Sequence, residues 1–476
     1  MEKLFQLVKL ARDVTDNSNE VRGGSIFFAI RGTRFDGHSF IGEVLKKKPL
    51  AVVVEKDYNP PREVKNSGVK LLKVEDSRRA FALACREFFN KPDEKLKIFG
   101  ITGTNGKTSS AFILAGLLNG LNIPTGVIGT VEYRFDQKVY GKGQTTPHPK
   151  VWYKTLAQMV EDGAKAVACE ISSHALWQRR IYGTRFEGVI FTNLSQDHLD
   201  YHRTMENYFL AKRLLFSEYT YKAGVVNGDD LYGRRLAKEF SLQSFGTESD
   251  NDYRILKKEV TLRGLSFELS TPKGEVFRFS SNLRGEFQVF NLAGVISLLL
   301  TLGFSAKELQ RVCQNLPQIP GRFEIVAEKP FTVIVDYAHT PDAMEKLLKA
   351  VVNLKPRRVI TVFGAGGNRD RNKRPLMGAV AERFSDLVIL TSDNPRFEEP
   401  SEIIEDILKG IGDRSKVKIQ PDRKEAINLA LKLAKEGDII VIAGKGHEDY
   451  QEIKGVKYPF DDRKVVLELL SNLQKG

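Results

Sequence analysis

The sequence predicts an α/β protein of three domains, and three observations carry that prediction. Short apolar runs alternate with helical segments along most of the chain. Polar and glycine-rich turns follow several of those runs. The length, 476 residues, corresponds to about three domains of ordinary size.

The first unit spans residues 1–93. Residues 1–15 place Leu4, Leu7, Val8 and Ala11 on one helical face, with Lys3, Lys9 and Arg12 between them. This spacing predicts an amphipathic helix and lacks the uninterrupted apolar core of a signal peptide. Residues 25–30 and 50–54 read as strands, and residues 31–38, with Gly32 and Gly37, as a polar turn. Asn90, Lys91, Pro92 and Asp93 break the helix before them and mark the first boundary.

Residues 94–320 read as a central parallel sheet with helices on both faces. Its strands are expected at 97–102, 166–171, 188–192 and 224–226, with 131–140 also strand-like. Residues 253–279 change character and predict antiparallel strands appended to that sheet, with a turn at 271–274. From 321 to 476 a second, Rossmann-like α/β unit is expected. Its strands lie at 331–335, 359–363, 387–390 and 438–442, and its helices include 343–352 and 424–435. Polar residues crowd the C-terminal ends of these strands, where open α/β sheets bind ligands. Gly364, Gly366 and Gly367 fall short of a dinucleotide fingerprint, so no nicotinamide site is read there.

The strongest local signal is Gly103-Thr104-Asn105-Gly106-Lys107-Thr108-Ser109, between an apolar strand and an apolar helix. Free backbone N–H groups and the positive end of the helix dipole there make an anion site. Lys107 suits the β and γ phosphates of ATP, and the Thr108 hydroxyl suits Mg2+. The loop is a shortened form of the phosphate-binding pattern, since Ile101 stands where its first glycine belongs.

Composition bounds the class. Hydrophobic residues make up 41% and charged residues 28%, enough for real cores under a polar surface. No apolar run approaches the ~20 residues of a membrane-spanning helix. Cys85, Cys169 and Cys313 are scattered without paired spacing, which suits a reducing cytoplasm. The net charge is +13. The basic runs at 46–48 and 369–374 are short and lack interleaved aromatics, so the charge points to anionic small molecules and not to nucleic acid.

Further clusters follow the phosphate loop: Thr145-Thr146-Pro147, Glu170 with Ser172-Ser173-His174, Gln178 and Arg180, and Asp197-His198 after a third strand. Each alone fits a cap or a turn. Together with Asp336-Tyr337-Ala338-His339 and Pro341, in this order, they resemble the Mur ligases. These are the ATP-dependent amide-forming enzymes of peptidoglycan precursor synthesis, and the resemblance covers essentially the whole chain.

The resemblance implies a reaction. ATP phosphorylates a substrate carboxylate, and an incoming amine displaces phosphate from the acyl phosphate. Lys107, Glu170, His198 and Lys212 are the catalytic residues it implies. Thr108 and Glu170 would hold one Mg2+, and His198 a second together with Lys212 as a carbamate. Asn291, Arg322 and Asp336 would contact ATP, the last two once the domains close. The first domain would bind the UDP end of UDP-MurNAc-dipeptide through Ser18, Thr33, Arg34 and Phe35. Ser18 lies in Asp16-Asn17-Ser18-Asn19, a departure from the family's usual surroundings. Thr145, Thr146, Ser172, Gln178 and Arg180 would contact the rest of that substrate. Asp393-Asn394-Pro395-Arg396, with Arg369, Gly444 and Glu448, resembles the branch that adds meso-diaminopimelate as the third peptide residue, with L-lysine the alternative amine. Arg396 and Arg369 offer planar forks to carboxylates, and Glu448 and Asp393 answer an amine. A monomer in the cytoplasm is expected. The rival readings are a sibling Mur ligase, a folylpolyglutamate-type ligase, which lacks a UDP-binding first domain, and a nucleic-acid-stimulated phosphate-loop ATPase.

Overall fold

The computed structural model describes residues 1–473 apart from 33, 34, 62, 63, 65 and 66. Its described strands form four sheets.

The first sheet contains β1 (Asp13–Thr15), β2 (Ser25–Phe28), β3 (Ala51–Glu55) and β4 (Lys70–Val74), all parallel and in that order. Every residue of β2 is buried. Phe28 and Val53 pack on one face against Ala80, Phe81 and Ala84 of the helix Ser77–Phe88, while Phe27, Val52 and Val54 fill the other face. The expected helix over 1–15 is shorter: it spans Glu2–Val8, Leu10 is 73% exposed, and Asp13–Thr15 is the edge strand β1. Pairing with β2 buries Val14 and Thr15, β-branched residues suited to extension. Asn90 and Lys91 adopt left-handed backbone before Pro92, ending the helix where the sequence indicates.

The central sheet has eleven strands: β5 (Lys97–Thr102), β6 (Thr125–Ile128), β7 (Tyr133–Phe135), β8 (Lys138–Gly141), β9 (Ala166–Glu170), β10 (Phe186–Phe191), β11 (Tyr221–Asn227), β12 (Gln243–Gly246), β13 (Tyr253–Thr261), β14 (Gly264–Ser270) and β15 (Val276–Ser281). Their order is 15-14-13-12-11-10-5-9-6-7-8. Strands 13 through 6 in that order run parallel, and an antiparallel hairpin closes each edge. The hairpin β14–β15 overlaps the antiparallel segment expected at 253–279 and runs past it to Ser281. The hairpin β7–β8 replaces the single strand-like stretch expected at 131–140, with Asp136 in left-handed backbone at its turn. Helices Lys107–Gly120 and Glu286–Thr301 cover one face, and Pro149–Glu161 the other.

Because β5 lies between β9 and β10, with Ile101 opposite Glu170 and Thr102 opposite Phe191, three strand ends open onto one place. The phosphate loop leaves β5, Glu170 ends β9, and Thr192 follows β10.

The third domain has β16 (Glu324–Ala327), β17 (Thr332–Asp336), β18 (Val359–Phe363), β19 (Leu387–Leu390), β20 (Val417–Ile419) and β21 (Ile439–Ala443) in the order 16-17-21-18-19-20, with only β16 antiparallel. A separate hairpin joins β22 (Tyr450–Ile453) and β23 (Val456–Pro459). Arg423 and Asp462 form a fully buried ion pair at 2.8 Å, and Arg423 also donates to Ala443 O at the end of β21. The pair and this bond tie the first turn of helix Arg423–Leu433 to the C-terminal end of the interior strand β21.

Candidate active site

The phosphate loop turns at Gly103 (φ 147°) and Gly106 (φ 87°). A Cβ at Gly103 would meet Thr192 Oγ1 at 1.9 Å, and one at Gly106 would meet Asn291 Oδ1 at 2.4 Å. Neither position admits a side chain without displacing a neighbour. The loop hangs from the segment after β10. Thr104 N donates to Asn193 O (2.8 Å), Asn105 N to Asn193 Oδ1 (3.0 Å), and Thr192 Oγ1 to Asn105 O (2.6 Å). Lys107 Nζ donates to Gly103 O (2.9 Å) and Thr104 O (2.8 Å), and so lies across its own loop. Burial lowers its pKa, although Glu170 and Asp197 pull it back up. Such an amine gains from any phosphate that restores its charge.

Glu170 is 1% exposed. Its carboxylate accepts from Thr108 Oγ1 (2.9 Å), Thr130 N (2.8 Å) and Thr130 Oγ1 (3.1 Å). Arg322 from the third domain donates to Thr108 Oγ1 at 3.1 Å, with its guanidinium 4.4 Å from the Tyr337 ring centre. The hydroxyl and carboxylate are hard oxygen donors of the kind Mg2+ takes. Among the described residues no three His, Cys, Asp or Glu side chains group as a self-contained metal site. The donor set therefore fits an ion that completes its shell with phosphate oxygens and water.

Beside it, His198 adopts left-handed backbone (φ 54°), with Nε2 3.4 Å from Asp197 Oδ2 and its ring 4.9 Å from His174. Desolvation lowers its pKa against the pull of Asp197, leaving a neutral imidazole able to donate a lone pair. Lys212 is 1% exposed, donates to Gly103 O at 2.7 Å and lies over the Tyr208 ring. Burial, reinforced by Lys107, pushes its pKa far down, and the neutral amine is the nucleophilic form.

Asn291 lies under Gly106 and donates to Gln288 Oε1 at 2.9 Å; Gln288 in turn reaches Ser109 Oγ. Asp336, expected to contact ATP, is 6% exposed. Both oxygens accept backbone N–H groups, of Phe323 (2.7 Å) and Ala338 (2.8 Å). It therefore shapes the turn that carries Arg322.

On the substrate side, Thr146 Oγ1 donates to Glu170 O (2.8 Å) and accepts from Ser172 N (2.9 Å). Ser172 Oγ caps the helix Ser173–Trp177, and Thr145 Oγ1 lies 3.0 Å from Thr130 Oγ1. Arg180 donates to Thr146 O and to Gln178 Oε1, and Gln178 Nε2 donates to Tyr201 Oη. Gln178 and Arg180 open into a cleft of about 190 Å3 between the first and central domains, with Asp16, Arg78, Phe81 and His148 on its walls. Ser18 is not on these walls; its carbonyl accepts from Lys47. Phe35 is 71% exposed. Thr33 and Arg34 lie outside the described residues.

In the third domain Asn394 is the hub. Its side chain donates to Glu448 Oε2 (2.8 Å) and accepts from Glu452 N (2.8 Å) and Lys445 Nζ (3.2 Å). A Cβ at Gly444 would fall 2.6 Å from Asp393 Oδ2. Pro395 packs so close to Gly367 that a Cβ there would meet Pro395 O at 1.9 Å. Arg396 is already engaged, through Nε to Glu452 (3.1 Å) and Nη1 to Gly367 O (2.7 Å), whereas Arg369 is exposed.

Several site residues escaped the sequence reading. Thr130, Arg78 and His148 carry no local motif, and Asp16 enters the sequence only as a neighbour of Ser18. Gln144 stands one residue before Thr145, and its Oε1 accepts from Arg180. Lys445 is fully buried and bonds Glu448 at 3.1 Å; its place within Gly444-Lys445-Gly446-His447-Glu448 was the available signal. Lys373 donates to His339 O, and burial lowers its pKa against the charges of Asp197 and Asp393.

Comparison with known proteins adds three family matches. The Mur ligase catalytic domain matches residues 13–89, the Mur ligase middle domain 101–299, and the Mur ligase glutamate ligase domain 321–446. A UDP-N-acetylmuramoyl-L-alanyl-D-glutamate–2,6-diaminopimelate ligase of Aquifex aeolicus is 51% identical over 98% of this chain and 94% of its own length. A solved structure of an enzyme with that same description superposes with TM-score 0.71 at 33% identity, covering 98% of this chain and 95% of the other. The fold also matches a MurF ligase of Thermotoga maritima in complex with ADP, with TM-score 0.63 at 20% identity, over 100% of each chain.

Proposed function

The chain belongs to the Mur ligase family, and on that premise we infer that it is an ATP-dependent, ADP-forming ligase of peptidoglycan synthesis. It joins 2,6-diaminopimelate to UDP-N-acetylmuramoyl-L-alanyl-D-glutamate. The observation that carries this is the 51% identity along nearly the whole chain, all three domains included.

The residues support a two-step path. A substrate carboxylate oxygen attacks the γ-phosphorus, the bond to the β-bridging oxygen breaks, and ADP leaves. The amine of diaminopimelate then attacks the acyl carbon, the C–O bond to phosphate breaks, and the nitrogen loses a proton. Lys107 and the loop N–H groups hold phosphate charge, and Arg322 brings a further cation from the third domain. Thr108 and Glu170 would hold one Mg2+, and His198 a second beside Lys212 as a carbamate. Bound there, the ions neutralise charge on the transferring phosphoryl group.

Gly103 to Ser109, Asn291 and Arg322 form the nucleotide site in this reading, with Asp336 ordering it. Thr145, Thr146, Ser172, Gln178 and Arg180 contact the muramoyl-dipeptide, and Ser18, Thr33, Arg34 and Phe35 serve the uridine end. Asp393 to Arg396, Arg369, Gly444 and Glu448 receive the meso isomer of diaminopimelate. The domains run 1–93, 94–320 and 321–476. The protein acts as a cytoplasmic monomer without a nucleic-acid partner.

The test is phosphate release from Mg-ATP with UDP-N-acetylmuramoyl-L-alanyl-D-glutamate, comparing meso-diaminopimelate, L-lysine and no amine. Release dependent on diaminopimelate is expected. Equal release with lysine would overturn the amine assignment, and no release with either would overturn the ligase reading.

A further inference from the structure

Asp342 lies in the first turn of the helix Pro341–Val352 of the third domain, yet its carboxylate serves the central domain. Asp342 Oδ2 accepts from Asn105 Nδ2 of the phosphate loop at 2.7 Å and from Ser195 Oγ at 3.1 Å. Lys346, one turn on, bonds the same oxygen at 2.8 Å and offsets its charge. Asn105 and Ser195 belong to two different loops, and both are joined to Thr104. Thr104 Oγ1 donates to Ser195 O and accepts from Ser195 N, and Asn105 Nδ2 lies 3.4 Å from Ser195 Oγ. The loop holding Ser195 leads directly to Asp197 and His198.

We propose that Asp342 is a positioning residue: a hydrogen-bond acceptor by which the third domain fixes the phosphate loop and the Ser195–His198 loop in register for phosphoryl transfer. The proposal rests on the phosphate-loop reading above. Its physical basis is reciprocity. If the third domain, in place, satisfies two donors on those loops, then order in the loops favours that placement by the same factor. A carboxylate so near a triphosphate site would repel the nucleotide if it stood alone. Its ion pair with Lys346 leaves it as a local acceptor. Misplacement of loops by fractions of an ångström is the kind of error that lowers turnover without abolishing binding.

The experiment compares Asp342→Ala, Asp342→Asn, Asn105→Ala and the Asn105→Ala/Asp342→Ala pair in the full-length enzyme. The readouts are kcat, KM for ATP and KM for diaminopimelate. Asp342→Ala is expected to lower kcat at least tenfold, on the order of the loss from a misplaced reacting group, with the diaminopimelate KM little changed. Asp342→Asn, which keeps an acceptor oxygen, is expected to restore most of the loss. The double variant should be no worse than Asp342→Ala alone, since the Asn105 contact with Asp342 is already lost in that variant. Near-normal kcat in Asp342→Ala, no rescue by Asn, or multiplicative losses in the double variant would each overturn the proposal. Lys107→Ala measured alongside separates the readings. Full turnover there would overturn the phosphate-loop assignment and this proposal with it, whereas an inactive Lys107→Ala with multiplicative losses would overturn Asp342 alone.

Discussion

Thr108 Oγ1 donates to Glu170 Oε2 at 2.9 Å, joining the first turn of one helix to the end of a strand 62 residues later. The two residues meet because β5 and β9 are parallel neighbours in register, Ile101 opposite Glu170. The bond sets the orientation of the carboxylate beside the phosphate loop. The same hydroxyl accepts from Arg322, so a cation binding at Thr108 and Glu170 would be felt by the third domain.

Lys107→Ala is expected to reduce ligation at least a hundredfold, the scale for losing an electrostatic stabiliser of a developing charge. The fold should survive, because the lysine bonds only two carbonyls of its own loop and its burial already disfavours its charge. Phosphate release and a thermal melt settle the matter together. Near-normal turnover in a folded variant would remove the loop from the chemistry.

Lys212→Ala is expected to be inactive and partly rescued by a short carboxylic acid such as acetate. The native amine is buried beside Gly103 O, and burial reinforced by Lys107 lowers its pKa, which favours the unprotonated form that takes up carbon dioxide to become an anion. A small carboxylate can occupy the space that the substitution vacates. Full activity of Lys212→Ala without additive would end the carbamate reading.

How much of this was visible in the sequence depends on how far apart the partners lie. The loop from Gly103 to Ser109 and its flanking strand and helix are contiguous, so periodicity and turn chemistry revealed them. Glu170 was marked by ending an apolar strand. The link of Asn105 to Asp342 spans 237 residues, and that of His148 to Asp16 spans 132. Nothing local encodes either. The short helix Glu2–Val8 was overextended for the same reason, because β1 exists only through its pairing with β2. Asp336 shows the converse: its motif is local, but that each of its oxygens accepts a backbone donor emerges only in three dimensions.

Arg396→Lys is expected to raise KM for diaminopimelate at least tenfold, about 1.4 kcal/mol of binding, with a smaller effect on kcat. Arg396 sits in left-handed backbone (φ 54°), an uncommon conformation for a non-glycine residue, and its guanidinium is held by Glu452 and Gly367 O. These contacts orient the fork in advance, and one ammonium cannot replace its paired donors. An unchanged KM in steady-state assays would place Arg396 outside the amine pocket.

Stability should fall as pH drops from about 6.5, the ordinary histidine pKa, before most carboxylates begin to titrate. His447 shows why. Its ring lies 5.0 Å from that of Tyr337, its Nδ1 is buried with no hydrogen-bond partner among the described residues, and burial together with Arg322 and Arg463 lowers its pKa to about 3. His339 is likewise lowered to about 4, chiefly by burial, with Lys373 adding to the effect. Below pH 6.5 the unfolded chain takes up protons that these folded sites refuse, so acid favours unfolding. The stability belonging to each group is complete above the unfolded pKa and is lost progressively as pH falls toward the folded value. One such group contributes a slope approaching about 1.4 kcal/mol per pH unit within that window. Thermal melts at pH 7.5, 6.0 and 5.0 should show a falling midpoint in the native protein and a shallower fall in His447→Gln, which cannot take up a proton. Parallel slopes for the two proteins would mean that His447 protonates in the folded state as readily as in the unfolded one.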